Sequence, residues 1–405
     1  MVASELVTRR EITGAVLGCT CAMAVLPLKP VFATAAALVS DWNGFAKPPR
    51  WQSFNLITGD TIVLPSYVAG ISVDAILDSG SAASIVSTSL AARLNLASTE
   101  QVMIRGIGGR ASVQLARNVE LTLAGQPRRL PFVVIADLEA VSSAIGRPVD
   151  VVLGEDMLVE RCIALEFASS RISIGDSGTF SGGRGWQSIS VAHGSNRELL
   201  VVASVAGLPD TPMLFDLGSS TALMLDRAYV EEHRLLDGVR QSTAAIGGVD
   251  GTRLAAAFIA NEVKLGGFPV RSVPTLAPSS WASKSALGSI GFPLISQFDV
   301  VLDVSGGKIW LRPARRGLPM LEDHSGFGLA PGGNELSIVH VAANSPAASD
   351  GWRAGDRILA INGHRIDASY IRSQHWRWRF MPPGTLVILQ DQAGRMRELR
   401  LVDYF

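Results

Sequence analysis

From about residue 51 to 315 the apolar residues fall in short runs broken by Gly, Ser and Pro. Thr61-Ile62-Val63-Leu64, Pro131-Phe132-Val133-Val134-Ile135 and Leu199-Leu200-Val201-Val202-Ala203 are examples. Runs of that length between turn residues predict strands rather than helices. Helical spacing is confined to two short segments, Ser89–Leu94 and Ala228–Leu235. Each segment stands at the same place in a repeated order of strand, turn, strand, helix. In the first copy Ala75-Ile76-Leu77 leads into Asp78-Ser79-Gly80-Ser81 and then Ile85-Val86; in the second Met213-Leu214-Phe215 leads into Asp216-Leu217-Gly218-Ser219 and then Leu223-Met224.

The repeat continues past the helices. A glycine-rich turn follows in each copy, Gly106-Ile107-Gly108-Gly109 and Ile246-Gly247-Gly248. Each copy then closes on a short segment that ends in an apolar residue and a glycine, Val152-Leu153-Gly154 and Ser289-Ile290-Gly291. A strand carrying an acid comes last, at Glu166 and at Asp303, with a hairpin return. The aspartates are 138 positions apart, the closing glycines 137 and the acidic residues 137. Offsets this constant indicate an internal duplication. Two equivalent aspartates in one chain indicate a carboxylate pair.

This pattern resembles the aspartic protease clan of pepsins and retropepsins, over roughly residues 50 to 315. There an Asp-Ser/Thr-Gly turn and a later apolar-apolar-Gly segment form the loop that carries a catalytic aspartate. The resemblance implies a mostly β fold, with two retropepsin-like acid-protease β-barrel lobes related by internal duplication and one active site between them. It implies catalytic roles for Asp78 and Asp216, flaps at Gly106–Gly109 and at Ile246, Gly247 and Gly248, and loop-closing roles for Gly154 and Gly291. The expected lobes are 51–176 and 191–314, joined by a Gly/Ser-rich linker at 177–190.

The chemistry follows from the pair. Two carboxylates about 3 Å apart cannot both ionise, so they share one proton. The ionised member takes a proton from a water that attacks a peptide carbonyl, while its protonated partner bonds the carbonyl oxygen. No metal or other cofactor is needed. Gly80 and Gly218 allow tight turns whose N–H groups approach the carboxylates. By the resemblance, Ser81 and Ser219 place a hydroxyl on the outer carboxylate oxygen, which favours ionisation and an acid-leaning optimum. Ser79 supplies the hydroxyl that braces one turn across the lobes. Leu217 cannot do so, and the alternative it raises is a catalytically degenerate, peptide-binding cleft. Asp150, Glu155 and Asp156, near the first closing glycine, read as solvated or helix-capping residues.

Residues 320–405 read differently. Asn344-Ser345-Pro346-Ala347-Ala348 and Gly351-Trp352-Arg353-Ala354-Gly355-Asp356-Arg357-Ile358-Leu359-Ala360-Ile361-Asn362-Gly363 resemble the corresponding run of bacterial PDZ domains. That resemblance implies that Gly326-Phe327-Gly328-Leu329 presents backbone N–H groups to a peptide carboxylate by strand addition. From residue type, Ser345-Pro346 starts a short helix and Asn362-Gly363 is a tight turn. The stretch Gln374–Arg379, which alternates aromatics with arginines, reads as an amphipathic helix face of that module.

Composition narrows the partners. With 36 Lys and Arg against 36 Asp and Glu and no basic cluster in the body, nucleic acid is not an expected partner. A polypeptide substrate is, with a peptide C-terminus or protein partner for the last module. Six scattered histidines and three cysteines form no metal-ligand spacing. Thr8-Arg9-Arg10, the apolar stretch Gly14–Leu28 and Ala33-Thr34-Ala35 read as a bacterial export signal over 1–35, of twin-arginine or Sec type, and 36–50 as a linker. The expected location is the periplasm or cell envelope. Cys162 would then stand alone in the mature chain, as a small core residue. Two lobes that complete a site in one chain predict a monomer.

Overall fold

A computed structural model describes residues 42–405 apart from 58–60, 107–108, 140, 143–147, 196, 249–250, 282, 368 and 371–372. The export signal expected over 1–35 and the flap residues Ile107 and Gly108 lie outside the described residues. The chain is mostly β, with 49% strand and 11% helix, and contains two β-rich lobes. No described helix is long and apolar enough to cross a membrane.

The lobes repeat one topology. Each has an eight-stranded sheet with the same sequence of neighbours. In the first, the closing segment Val151–Leu153 lies parallel to Ile71–Leu77 and antiparallel to Ile85–Ser87. In the second, Gly288–Gly291 lies parallel to Thr211–Asp216 and antiparallel to Leu223–Leu225. Two loops therefore interlock in each lobe, and the strand before each aspartate is locked by the segment ending in Gly154 or Gly291. Strands flanked on both sides and both faces must be apolar throughout. Val151–Leu153 and Leu223–Leu225 are buried at every position.

The short helices expected after each turn are Thr88–Arg93 and Arg227–Glu232. Their first turns are capped by Ser87, whose Oγ accepts from Leu90 N, and by Asp226, which accepts from Ala228 N.

A third, six-stranded sheet joins the lobes. Arg161–Glu166 runs antiparallel to Phe298–Asp303, with Cys162 opposite Asp303 and Leu165 opposite Val300. Apolar residues of both lobes form one continuous core around it, including Phe54, Leu165, Phe167, Phe215, Phe292 and Leu302. Phe167 and Phe292 meet edge to face across the lobes, with centroids 5.3 Å apart. Full burial of one such side chain contributes about 1.5–3 kcal/mol, so the lobes are held as one body. Cys162 sits buried in this sheet, and burial pushes its thiol up to about 11.

The stretches expected as linkers are packed. Trp42 and Phe180 are buried against Cys162, Ala164 and Val301, with Phe45, Trp186 and Trp310 around them. Gln187–Ser190 adds a strand to the interlobe sheet by pairing with Lys308–Pro313. Glycine here serves close packing: a Cβ on Gly44 would stand 2.4 Å from the Phe180 ring, and one on Gly182 would stand 2.5 Å from that of Trp310.

The C-terminal unit is a separate six-stranded sheet with its own core, built on Phe327, Trp352, Ile358, Trp376, Trp378 and Leu389. Ser345 caps the helix Pro346–Ser349. Asn362 and Gly363 both have positive φ, 49° and 80°, and form the two-residue turn between Arg357–Ile361 and His364–Arg365. Gln374–Phe380 is a short 3₁₀ helix whose Trp376 and Trp378 face the core, with Arg379 buried beside them.

Asp303 closes the interlobe sheet by accepting from Ser177 Oγ at 2.6 Å, Gly178 N at 2.7 Å and Gly306 N at 2.9 Å. Asp303→Ala removes these three bonds to a buried carboxylate. The expected loss is about 1–3 kcal/mol of unfolding free energy, measured by urea denaturation.

Candidate active site

The interlocked loops bring Asp78 and Asp216 together. Both residues are at most 1% exposed. Each follows a strand whose partner segment ends in the closing glycine, and Asp78 N donates to Leu153 O at 2.9 Å. Gly80 N donates to Asp78 Oδ1 and Gly218 N to Asp216 Oδ1, both at 2.9 Å. Ser219 N adds a bond to Asp216 Oδ1 at 3.0 Å.

The glycines are also required across the lobes. A Cβ on Gly80 would stand 2.5 Å from Asp216 Cγ, and one on Gly218 would stand 2.4 Å from Asp78 Cγ. The closing glycines are equally tight. A Cβ on Gly154 would stand 2.6 Å from the Ala83 carbonyl carbon, and one on Gly291 would stand 2.0 Å from Thr221 O.

Electrostatics set the proton. Burial raises the pKa of both carboxyls, and the neighbouring Asp216 charge raises Asp78 well above its usual range. Where Asp78 accepts from one backbone N–H, that of Gly80, Asp216 accepts from two, those of Gly218 and Ser219, and is the better-stabilised anion. Its Oδ2 has no hydrogen-bond partner among the described residues. The pair therefore shares one proton, and the additional backbone donor favours the charge on Asp216.

The brace across the lobes is one-sided. Ser79 Oγ donates to Phe215 O at 2.8 Å and accepts from Leu217 N at 2.9 Å. Leu217 is fully buried in the shared core, so the matching position of the second copy contributes packing instead of a hydroxyl.

Three expectations change. The Ser81 and Ser219 hydroxyls do not meet the carboxylates: Ser81 Oγ donates to Ala83 O at 2.8 Å, and Ser219 Oγ pairs with the main chain of Thr221. A hydroxyl two residues before a free carbonyl closes its own turn. Glu155 and Asp156 are not solvated. Glu155 is buried, with Oε1 3.2 Å from His193 Nε2 and Oε2 3.4 Å from Arg197 of the other lobe. Asp156 accepts from Ser84 N and Oγ at 2.8 and 2.6 Å, and burial raises it to about 6. Asp150 accepts from Ser87 Oγ at 2.8 Å and pairs with Arg93. The sequence signal for Glu155 was its lack of a counterpart: Phe292 follows the second closing glycine.

The third change concerns the C-terminal unit. Gly326 N donates to Asp323 Oδ1 at 2.8 Å and Phe327 N to Ser325 Oγ at 3.2 Å. These N–H groups, expected to meet a peptide carboxylate, are already bonded within the chain. Phe327 points into the module's core, while Gly328 and Leu329 belong to the strand Phe327–Pro331.

The flap positions Gly106 and Gly109 face each other in one hairpin, and Gly247 and Gly248 pair with Thr252 and Gly251 in the other. Among the described residues, Glu322, His324 and Asp403 form one group able to hold a cation, with ligand atoms within 4.8 Å of one another. It draws on residues far apart in sequence, which spacing could not reveal. His324 Nε2 already pairs with Asp403 Oδ1 at 3.2 Å.

A family model described as Aspartyl protease matches residues 64–157, the part of the first lobe that contains the Asp78 turn. This match supports a peptidase role. No curated protein matches the sequence. Among solved structures the chain is similar to basic 7S globulin from soybean, at 8% identity and a TM-score of 0.40, over 65% of this chain and 95% of that one. It is also similar to an aspartic proteinase from Irpex lacteus, at 11% identity and a TM-score of 0.41, over 66% and 98%.

Ser79→Ala removes the hydroxyl that bonds Leu217 N and Phe215 O. A loss of about 1–3 kcal/mol is expected for orphaning buried groups, read from chemical denaturation. Leu217→Thr in the same background should not restore the loss, because the side chain at 217 packs in the shared core.

Proposed function

We propose that the chain is an aspartic endopeptidase that hydrolyses extended polypeptides with a water activated between Asp78 and Asp216. The observation that carries this reading is the meeting of two buried carboxyl groups, one from each lobe, with glycines packed against both. The Aspartyl protease match over residues 64–157 supports the same class.

In the proposed cycle the Asp216 carboxylate accepts a proton from the water at its unpartnered Oδ2. The water oxygen bonds to the peptide carbonyl carbon, and Asp78 donates its proton to the carbonyl oxygen. The backbone donors on Asp216 Oδ1 hold that carboxylate in place through the step. Asp216 then passes the water's proton to the leaving nitrogen, a hydroxyl of the tetrahedral diol returns a proton to Asp78, and the C–N bond breaks to give acid and amine. Every step is proton transfer or water addition between groups fixed by the two turns, as general acid–base catalysis requires.

The C-terminal unit is proposed to be a PDZ-type module, supported by its sequence run, its capped helix at Pro346–Ser349 and its Asn362-Gly363 hairpin. Peptide or partner recognition by this module is part of the proposal. Export to a bacterial envelope is supported by the basic and apolar character of residues 8–28. A monomer is supported by the completion of the pair within one chain.

Purified protein should cleave an unfolded polypeptide, and Asp78→Asn and Asp216→Asn should each lower the rate at least about 100-fold. A folded wild type that leaves the substrate intact at every pH would reject the peptidase reading and favour a peptide-binding cleft. The active form needs Asp216 ionised and Asp78 protonated. Activity should therefore fall as pH drops through about 6, where Asp216 takes up its proton, and fall again as pH rises enough to ionise Asp78. The expected optimum lies above the acid range that the serine hydroxyls had indicated, and a pH–rate profile from 3 to 9 measures it.

A further inference from the structure

The two glycine-turn hairpins are equivalent in topology but not in surroundings. In the first lobe the outer strand, Ser98–Gly106, ends its sheet. Ser98, Gln101 and Met103 on it are exposed, Met103 by 49%. In the second lobe the matching edge strand, Gln241–Gly248, is gripped on both faces by the C-terminal unit.

Side chains alternate between the faces of a strand. On one face Ser242 Oγ donates to Ala343 O at 2.7 Å, and Ala244 packs with Ala342, Tyr404 and Phe405. On the other face Thr243 Oγ1 lies 2.9 Å from His340 Nε2, and a Cβ on Gly328 would stand 3.0 Å from Ala245 Cβ. The terminal segment that completes the grip is itself tied down. Arg240 Nη1 donates to Asp403 O at 2.7 Å, Val402 N donates to His324 O at 3.1 Å, and His324 pairs with Asp403. Tyr404 and Phe405 are 8% and 7% exposed. Towards its tip the same strand buries Ile246 against Met224, in the strand that follows the Asp216 turn.

We infer that the C-terminal unit is a brace that fixes the second-lobe strand Gln241–Gly248, whereas the matching first-lobe strand Ser98–Gly106 keeps an exposed edge. Tyr404 and Phe405 are positioning residues: they act on the cleft through the strand Gln241–Gly248. An edge strand covered on both faces loses its freedom to peel from the sheet. The brace stands on contacts alone; its effect on cleavage rests on the peptidase reading.

Hydrogen–deuterium exchange on the full chain tests the brace without any substrate. In the wild type, amides 241–246 should exchange at least tenfold more slowly than amides 98–103. Phe405→Ala should speed exchange at 241–246 at least tenfold and leave 98–103 unchanged, and Phe405→Leu should preserve the wild-type pattern. Thr243→Val loosens the grip from the other face without touching the terminus, and should speed 241–246 several-fold; it carries the test if Phe405→Ala does not fold. Equal exchange of the two hairpins in the wild type, or no change at 241–246 in folded variants, would overturn the proposal. In cleavage assays Phe405→Ala should raise KM several-fold with a smaller change in kcat. Loosened exchange in a protein that never cleaves peptide would uphold the brace and reject the peptidase reading.

Discussion

The structure depends on how closely two turns approach where the lobes meet. Gly80 lies against the Asp216 carboxyl and Gly218 against that of Asp78, with no room for a Cβ on either. That approach buries two acids in contact, and burial with mutual repulsion confines them to one proton. The rest of the architecture serves this contact. The interlocked segments ending in Gly154 and Gly291 hold the strands before the aspartates, and the interlobe sheet and shared core hold the lobes together.

On this duplicated frame the two halves have diverged at the positions that touch the other lobe. Ser79 bonds across to Phe215 and Leu217, whereas Leu217 packs in the core. Glu155 reaches His193 and Arg197 of the second lobe, while Phe292, its counterpart, packs on Phe167 of the first. One outer hairpin strand is exposed and the other is gripped by the C-terminal unit. Approximate symmetry sets the carboxyl pair. The departures from it distinguish Asp216, with two backbone donors, from Asp78, with one.

The fold class was legible because duplication wrote it twice: a strand pattern at constant offset is hard to produce by chance, and apolar runs such as Val151–Leu153 are fixed by burial on both faces. The meeting of Asp78 and Asp216 was legible for the same reason. What could not be read was the direction of small side chains. Ser81 and Ser219 can bond a carboxylate or their own turn, and local geometry chose the turn. Glu155 and Asp156 have the composition of a surface pair, but the segment following Gly154 is inside. The Gly326–Leu329 loop matched a carboxylate-binding pattern, yet Asp323 and Ser325 had already taken its donors. The aromatic cluster around Trp42 and Phe180 joins segments whose Gly and Ser content indicated linkers.

The central claim is that the two carboxyls act as one group on a tetrahedral oxygen. It is tested most directly by binding of a peptide in which a hydroxyl-bearing carbon replaces the scissile carbonyl, against the same peptide lacking the hydroxyl. A group that grips the transition state should bind the hydroxyl form at least about 100-fold more tightly, and Asp78→Asn and Asp216→Asn should each abolish the difference. Equal affinity for the two peptides in the folded wild-type protein would contradict the account.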